Sequence, residues 1–148
     1  MISTTIDQEI KQAMLAKDQA KLRGLRAIKA ALLLAKTEKG NTDEITEDAE
    51  IKILQRLVKQ RRDSAAIYIE QQRPDLAEPE LAQAAVIEKF LPEQLNEMEI
   101  EAVVSRIIEE EAASEMGSMG KIMELASAEL AGKADGKTIS TIVKKLLS

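Results

Sequence analysis

Apolar side chains recur at intervals of three and four residues along most of the chain, a spacing typical of helices with one buried face. The C-terminal part contains three such segments, with apolar positions at Ile100, Val103, Val104, Ile107 and Ile108; Met119, Ile122, Met123, Ala126 and Leu130; and Ile139, Ile142, Val143, Leu146 and Leu147. No segment alternates apolar and polar residues as a half-buried strand would. The pattern therefore predicts an all-α fold.

About four helices are predicted before residue 92. We expect the first to start at a capping box formed by Thr4 and Asp7, in which the two side chains satisfy free amide groups. The second should end at Gly40-Asn41, because these residue types favour the left-handed conformation that ends helices.

The third helix is predicted to be the longest. It should begin at Thr46 as an N-cap and stop at Arg73, because Pro74 disfavours helical geometry in the residue before it. A shorter fourth helix is expected from about Pro79 to Phe90, with Leu81 facing inward.

A domain boundary is predicted at Leu91-Pro92, where the charge balance changes. Residues 1–91 hold 15 basic and 15 acidic side chains, whereas residues 92–148 hold 6 and 11. A cap formed by Asn96 and Glu99 should open the first helix after the boundary. We therefore expect an N-terminal helical domain over 1–91 and a three-helix tail domain over 92–148.

Composition excludes several kinds of site. The 148 residues include no Cys and no His, which removes Ser-His-Asp catalysis and zinc sites built on imidazole or thiolate. We expect no cofactor and no metal. The longest apolar run, Ala30–Ala35, is too short to span a membrane, and the N-terminus lacks the pattern of a secretory signal. A cytoplasmic protein is predicted.

The stretch AGKADGKT at residues 131–138 superficially matches a phosphate-binding loop. A working loop of that kind follows a strand, whose end holds the backbone amides around the phosphates. Here the preceding residues, 124–130, have a helical pattern. We therefore interpret the stretch as a turn between helices, with Gly132 ending one helix and Asp135 capping the next.

Four motifs resemble the YqeY family, which shares its C-terminal domain with the tail of the B subunit of the glutamyl/aspartyl-tRNA amidotransferase. They are VKQRRDS at 58–64, FLPEQL at 90–95, MGKIME at 119–124 and GKADGK at 132–137. The resemblance implies a helical N-terminal domain and a small helical tail. In the amidotransferase the tail helps to hold tRNA while other domains perform the chemistry, so the resemblance implies a non-catalytic module.

The tail motif supplies the first candidate RNA-binding residues, which are Lys121, Lys133 and Lys137. Their amines, with backbone amides at helix starts, could hold phosphate oxygens. The other matching positions are assigned to structure: core packing for the methionines, backbone geometry or close helix packing for the first two glycines, and turn positions for the rest. They are Met119, Met123, Gly120, Gly132, Asp135 and Gly136.

A second candidate RNA-binding strip lies on the long third helix. Four basic residues follow one another at spacings of four, three and three, which places them on one face away from the apolar stripe: Lys52, Arg56, Lys59 and Arg62. Neighbouring carboxylates could neutralise part of the strip. Because aromatic residues are nearly absent, any RNA contact should be to backbone and shape and not to stacked bases.

Three functions remain open at this point. The first is a non-catalytic tRNA-binding or tRNA-associated module. The second is a protein-interaction module that docks on the tRNA-dependent amidation or aminoacylation machinery. The third is a carbon–nitrogen ligase with glutamine as amido donor, which family membership alone suggests, since no catalytic site is legible in the sequence.

Overall fold

The computed structural model describes residues 2–38, 45–112 and 116–148, and every regular element within them is helical. The helices are α1 Ile2–Leu15, α2 Gln19–Glu38, α3 Glu47–Glu70, α4 Pro74–Glu88, α5 Glu97–Glu110, a short 3-10 turn Met116–Ser118, α6 Met119–Glu129 and α7 Gly136–Leu147. The predicted all-α class is confirmed.

The helices form two compact units, Met1–Leu91 and Pro92–Ser148. The units divide at the point where the charge balance of the sequence changes. The first unit closes over fully buried side chains from α2, α3 and α4: Leu25, Ile28, Leu54 and Ile87. The second closes over fully buried side chains from α5, α6 and α7, together with Leu130, which directly follows α6. The helix residues are Val104, Ile122, Ile142 and Val143.

The predicted capping box at the start of α1 is wrong. The helix begins at Ile2, so Thr4 lies inside its first turn. A distant carboxylate caps the helix instead: Glu50 of α3, only 2% exposed, accepts hydrogen bonds from the Ser3 amide at 2.9 Å and the Ser3 hydroxyl at 3.2 Å. Asp7 forms an ion pair with Lys29 of α2. The predicted end of α2 at Gly40-Asn41 lies outside the described residues.

The long helix α3 starts where predicted and ends earlier. Thr46 is its N-cap and accepts a hydrogen bond from the Ala49 amide at 3.2 Å. The helix ends at Glu70, three residues before Arg73, because Gln72 takes a left-handed φ of 59°. The Arg73 amide then donates to the Tyr68 carbonyl at 2.7 Å, which closes the turn as in a Schellman motif.

Helix α4 starts earlier than predicted. It begins at Pro74, not Pro79, because proline suits the first helical position, where its missing amide has no intrahelical partner to lose. Pro79 lies inside the helix. The prediction that Leu81 faces inward is also wrong, since its side chain is 45% exposed. The buried residues of α4 are Ala77, Ala84 and Ile87.

Helices α2 and α4 approach each other closely at Gly24. A Cβ atom at this position would lie 2.8 Å from Cγ1 of Val86 and 3.0 Å from its Cβ. Since both distances are shorter than an ordinary contact, only a residue without a side chain fits. The contact fixes α2 and α4 as neighbours in the first unit.

In the tail unit the predicted helix starts are confirmed. Asn96 and Glu99 form a capping box on α5, and the Asp135 carboxylate caps α7 by accepting from the Thr138 amide at 3.1 Å. The stretch 131–138 connects α6 to α7, as the helix–turn–helix interpretation requires. Gly132 has a φ of 78°, a left-handed conformation that favours glycine.

Candidate nucleic-acid interface

The loop between α6 and α7 is held by the segment that leads into the tail unit. The side-chain amide of Gln94 donates to the Gly132 carbonyl at 2.6 Å and to the Pro92 carbonyl at 2.8 Å. The Leu95 amide donates to the Lys133 carbonyl at 2.9 Å. Two of the motifs, FLPEQL and GKADGK, therefore meet in space, and their contacts fix the backbone that carries Lys133.

Helix α7 presents a basic outer face. Its apolar positions are buried in the tail core: Ile139, Ile142, Val143 and Leu147. Lys137, Thr141 and Lys144 are spaced by four and three residues on the opposite side, and all three are exposed. The Thr141 hydroxyl donates to the Lys137 carbonyl at 2.9 Å. The helix contains no acidic residue to neutralise this face.

Ion pairs occupy three of the six basic side chains of the tail unit. Arg106 binds Glu129 and Glu110, and these hydrogen bonds raise the pKa of its guanidinium. A hydrogen bond to Glu101 at 2.8 Å likewise raises the pKa of Lys145. Lys121 lies 3.0 Å from Glu111. In each case a carboxylate already offsets the positive charge.

The remaining three basic side chains of the tail unit are Lys133, Lys137 and Lys144. Within the described ranges 92–112 and 116–148, their amines form no ion pair or hydrogen bond. All three are exposed, and all three lie on α7 or on the loop that leads into it. Unpaired cations thus concentrate on one element of an otherwise acidic unit.

The structure does not bring the three predicted lysines together. Lys133 and Lys137 flank the start of α7, whereas Lys121 lies in the first turn of α6. The rest of α6 separates Lys121 from that loop by about 12 Å along the helix axis, from 1.5 Å per residue. The candidate site therefore follows α7, and Lys121 lies at the other end of α6.

The other motif residues have structural environments. Met119 and Met123 are partly buried and pack against the tail core. Close packing does not explain Gly120, because a Cβ there would meet no atom of the described residues within 4 Å. The same is true of Gly136, the first residue of α7.

The predicted basic strip on α3 is partly neutralised. All four side chains are exposed, but Lys59 lies 2.8 Å from Asp63, and Arg62 pairs with Glu88 of α4. In the part of the chain that the structure describes, Lys52 and Arg56 form no ion pair. The strip therefore offers two cations without an ion pair, compared with three on α7 and the loop that leads into it.

Comparison with known proteins identifies the family. The sequence model of the family described as "Yqey-like protein" matches residues 3–147, which is nearly the whole chain. The chain belongs to the YqeY-like family. The resemblance seen in the four motifs is confirmed.

Relatives of this YqeY-like chain include proteins of two names. "Altered inheritance of mitochondria protein 41, mitochondrial" from Meyerozyma guilliermondii is 34% identical over 87 residues, 59% of this chain and 44% of that protein. The E subunit of "Glutamyl-tRNA(Gln) amidotransferase" from Thermococcus gammatolerans is 38% identical over 71 residues, 45% of this chain and 11% of that protein. The same subunit from Thermococcus sibiricus is 31% identical over 156 residues, 95% of this chain and 24% of that protein. The chain thus spans less than half the length of each of these relatives.

Two residues of the YqeY-like tail, Lys144 and Gln94, were not predicted as functional from the sequence. Lys144 follows Lys137 by seven residues, which is two helical turns, so its spacing could have placed it on the same face. Gln94 lies within the FLPEQL motif, but its hydrogen bond to Gly132 joins residues 38 positions apart. No local pattern predicts a contact over that distance.

The described residues of this YqeY-like chain hold neither a cluster of metal ligands nor a membrane-spanning helix. Groups of three or more acidic side chains placed to hold a metal ion do not occur among them. None of their helices is both long enough and apolar enough to cross a membrane.

Proposed function

We propose that this chain is a non-catalytic, tRNA-associated module whose tail unit contacts RNA phosphates through the outer face of α7. The contacts would be made by Lys133, Lys137 and Lys144. The observation that carries the proposal is the distribution of ion pairs in the tail. Among its described residues, these three exposed lysines lack the carboxylate partners that the other basic side chains have. The relationship to a tRNA amidotransferase subunit supports tRNA as the nucleic acid.

The chemistry of the α7 face suits phosphate. A lysine ammonium is a compact charge that can approach a phosphate oxygen from several directions. The Asp135 carboxylate already accepts from the Thr138 amide in the first turn of α7, and the other backbone amides of that turn add partial positive charge at the same end as Lys133 and Lys137. Gly136, with open space around its α-carbon, leaves that backbone accessible. With a single Tyr and a single Phe in the chain, recognition would depend on RNA backbone and shape.

The other candidate cations should contribute less. Lys121, Lys59 and Arg62 each have a carboxylate partner, so an RNA phosphate would have to displace it. The net charge of −5 on residues 92–148 also opposes an RNA polyanion. We therefore propose weak binding that depends strongly on salt, with Lys52 and Arg56 as a secondary contact.

Fluorescence anisotropy of labelled tRNA over a salt series tests this function. The control is an unrelated structured RNA of equal length. The proposal predicts tighter binding to tRNA and a linear fall of log K with log salt, with a slope of roughly 0.7–0.9 per phosphate contact. Equal binding to both RNAs, or no binding at low salt, would contradict it.

A protein-interaction module is the second candidate, because α2 exposes two adjacent leucines on the first unit. We propose its partner among proteins of tRNA-dependent amidation, from the names of the relatives. Affinity capture with the purified chain before and after nuclease treatment separates the two functions. Amidation proteins that stay bound after nuclease favour this candidate, and proteins lost with the RNA favour the first.

A cytoplasmic location stays a prediction. The name of the Meyerozyma guilliermondii relative includes the word "mitochondrial", so the relatives do not support a cytoplasmic location over a mitochondrial one. Our proposal assigns no reaction to the chain, and the glutamine-dependent ligase suggested by family membership is set aside in favour of a binding role.

A further inference from the structure

The loop between α6 and α7 fixes the backbone of Lys133 on both sides of its α-carbon. In the peptide unit before it, the Lys133 amide donates to the Leu130 carbonyl at 2.9 Å. The Gly132 carbonyl of the same unit accepts from the Gln94 side chain at 2.6 Å. In the unit after it, the Lys133 carbonyl accepts from the Leu95 amide at 2.9 Å, and the next amide donates to Leu130 at 3.2 Å. Every polar group of the two peptide units is therefore hydrogen-bonded.

One of these four hydrogen bonds comes from a side chain, that of Gln94. A glutamine amide has two N–H donors, and the structure uses them on the Gly132 carbonyl and on the carbonyl of Pro92, two residues before Gln94. The contact with Pro92 holds the Gln94 side chain in one orientation, with its nitrogen toward the loop. Gln94 is partly buried, and a hydrogen bond there is stronger than one in water.

The Gln94 contact acts on the residue of the loop that has the most conformational freedom. Gly132 has a φ of 78°, and a glycine adopts other values of φ about as readily. Without a donor on its carbonyl, the peptide unit between Gly132 and Lys133 could turn, and the lysine side chain would leave the loop in another direction. The Gln94 hydrogen bond therefore selects one conformation, in which Lys133 is exposed.

The other two lysines of the proposed phosphate site do not depend on Gln94. Lys137 and Lys144 lie on α7, where intrahelical hydrogen bonds fix the backbone. A phosphate contact by a loop lysine costs more conformational entropy than one by a helix lysine, unless the loop is already fixed. We propose that Gln94 is a positioning residue for RNA binding, which acts through Lys133 by holding the loop in its binding conformation. This role rests on the proposed contact of α7 and its loop with RNA phosphates.

A double-mutant cycle of Gln94 and Lys133 in the full chain tests the positioning role. Gln94→Met keeps the length of the side chain and removes both N–H donors. In the unmodified chain, this change should weaken the binding of labelled tRNA roughly threefold to tenfold, because Lys133 must then be ordered on binding. With Lys133→Ala already present, the same change should have no further effect, because the side chain that Gln94 positions is gone.

Asn96→Ala is the matched control for a loss of stability. Asn96 lies two residues after Gln94 and caps α5 by accepting from the Glu99 amide at 2.8 Å, and its hydrogen bonds within the described residues all go to α5. The control should lower the stability of the tail unit and leave tRNA affinity unchanged. Circular dichroism gives a temperature at which every variant is folded, and anisotropy with labelled tRNA is measured there.

Three results would overturn the positioning role and leave the proposed function intact, since the unmodified chain would still bind tRNA. An affinity that Gln94→Met leaves unchanged would show that the loop does not need this hydrogen bond. Equal losses with and without Lys133→Ala would show that Gln94 acts on the tail as a whole. An equal loss from Asn96→Ala would show that binding follows tail stability. An unmodified chain that binds no tRNA would instead contradict the proposed function and the positioning role together.

Discussion

Helices α2 and α7 carry the largest positive charges of the described helices, yet their exposed faces differ. Helix α7 buries its apolar positions Ile139, Ile142, Val143 and Leu147. The exposed residue between Lys137 and Lys144 is therefore a polar one, Thr141. Helix α2 leaves Leu33 and Leu34 in solvent next to its cations. A polyanion gains from the charges of α7 and needs no apolar contact, whereas a protein surface gains from both features of α2.

Helices α2 and α7 have different expected roles, although their net charges are both positive. Both helices look like RNA-binding elements when only basic residues are counted. Exposed apolar area and the state of the ion pairs distinguish them. We therefore propose phosphate contact for the tail unit and protein contact for the first unit. Variants that alter one unit and leave the other intact test the two roles separately. The variants below are given in order of decreasing expected effect.

Glu50→Ala should give the largest loss of stability. The substitution removes the buried carboxylate that accepts hydrogen bonds from the Ser3 amide and hydroxyl, and with it the contact between the start of α1 and helix α3. Hydrogen bonds to a buried charge suggest a loss of about 2–3 kcal/mol. Hydrogen exchange followed by mass spectrometry should show the destabilisation in residues 1–91 and leave 92–148 protected.

Glu50→Gln is the control, because its amide oxygen keeps one acceptor and should lose less. Binding of tRNA by the Ala variant at a temperature where it stays folded should equal that of the unmodified chain. Lost protection in both units would show that the units do not respond separately.

Gly24→Ala should destabilise the first unit by about 1–2 kcal/mol, as overpacking does when a neighbour must move. The new Cβ would lie 2.8 Å from Cγ1 of Val86, whose branched side chain cannot easily turn away. Thermal unfolding measures the loss.

Gly120→Ala in the tail is the matched control, since its Cβ would point into open space. This variant should lose no stability. If the two substitutions had equal effects, the close contact between α2 and α4 would not be what requires glycine at residue 24.

Gln72→Gly should stabilise the chain by about 0.5–1 kcal/mol, because glycine adopts the left-handed conformation without strain. The larger entropy that glycine loses on folding limits this gain. Gln72 has a φ of 59° at the end of α3. Chemical denaturation measures the gain. Gln71→Gly, at a φ of −84°, should be destabilising, and a gain at both positions would contradict the explanation.

Local signals decided which parts of the fold could be predicted. Thr46, Asn96 and Asp135 were identified as helix starts because each caps an amide three residues away. The start of α1 was missed because its cap comes from Glu50, 47 positions along the chain. The start of α4 was missed because the second of its two prolines was taken as the first helical residue.

The candidate site follows the same rule. The spacing of Lys137 and Lys144 can be read from the sequence, although Lys144 was overlooked. The partner of Lys121 cannot be read in this way, because Glu111 reaches it only after the chain turns between α5 and α6. Sequence therefore locates lysines, and tertiary structure decides which of them remain available to a phosphate.

The most direct test of that claim compares two double variants that remove the same charge from the same unit. Lys137→Ala with Lys144→Ala removes unpaired cations, and Lys121→Ala with Lys145→Ala removes cations that Glu111 and Glu101 already offset. Anisotropy with labelled tRNA over a salt series should show a large loss of affinity for the first pair, with the slope lower by roughly 0.7–0.9 for each phosphate that is no longer bound. The second pair should bind almost as the unmodified chain does. Equal losses in the two variants would contradict the account, because binding would then follow net charge and not the unpaired lysines of α7.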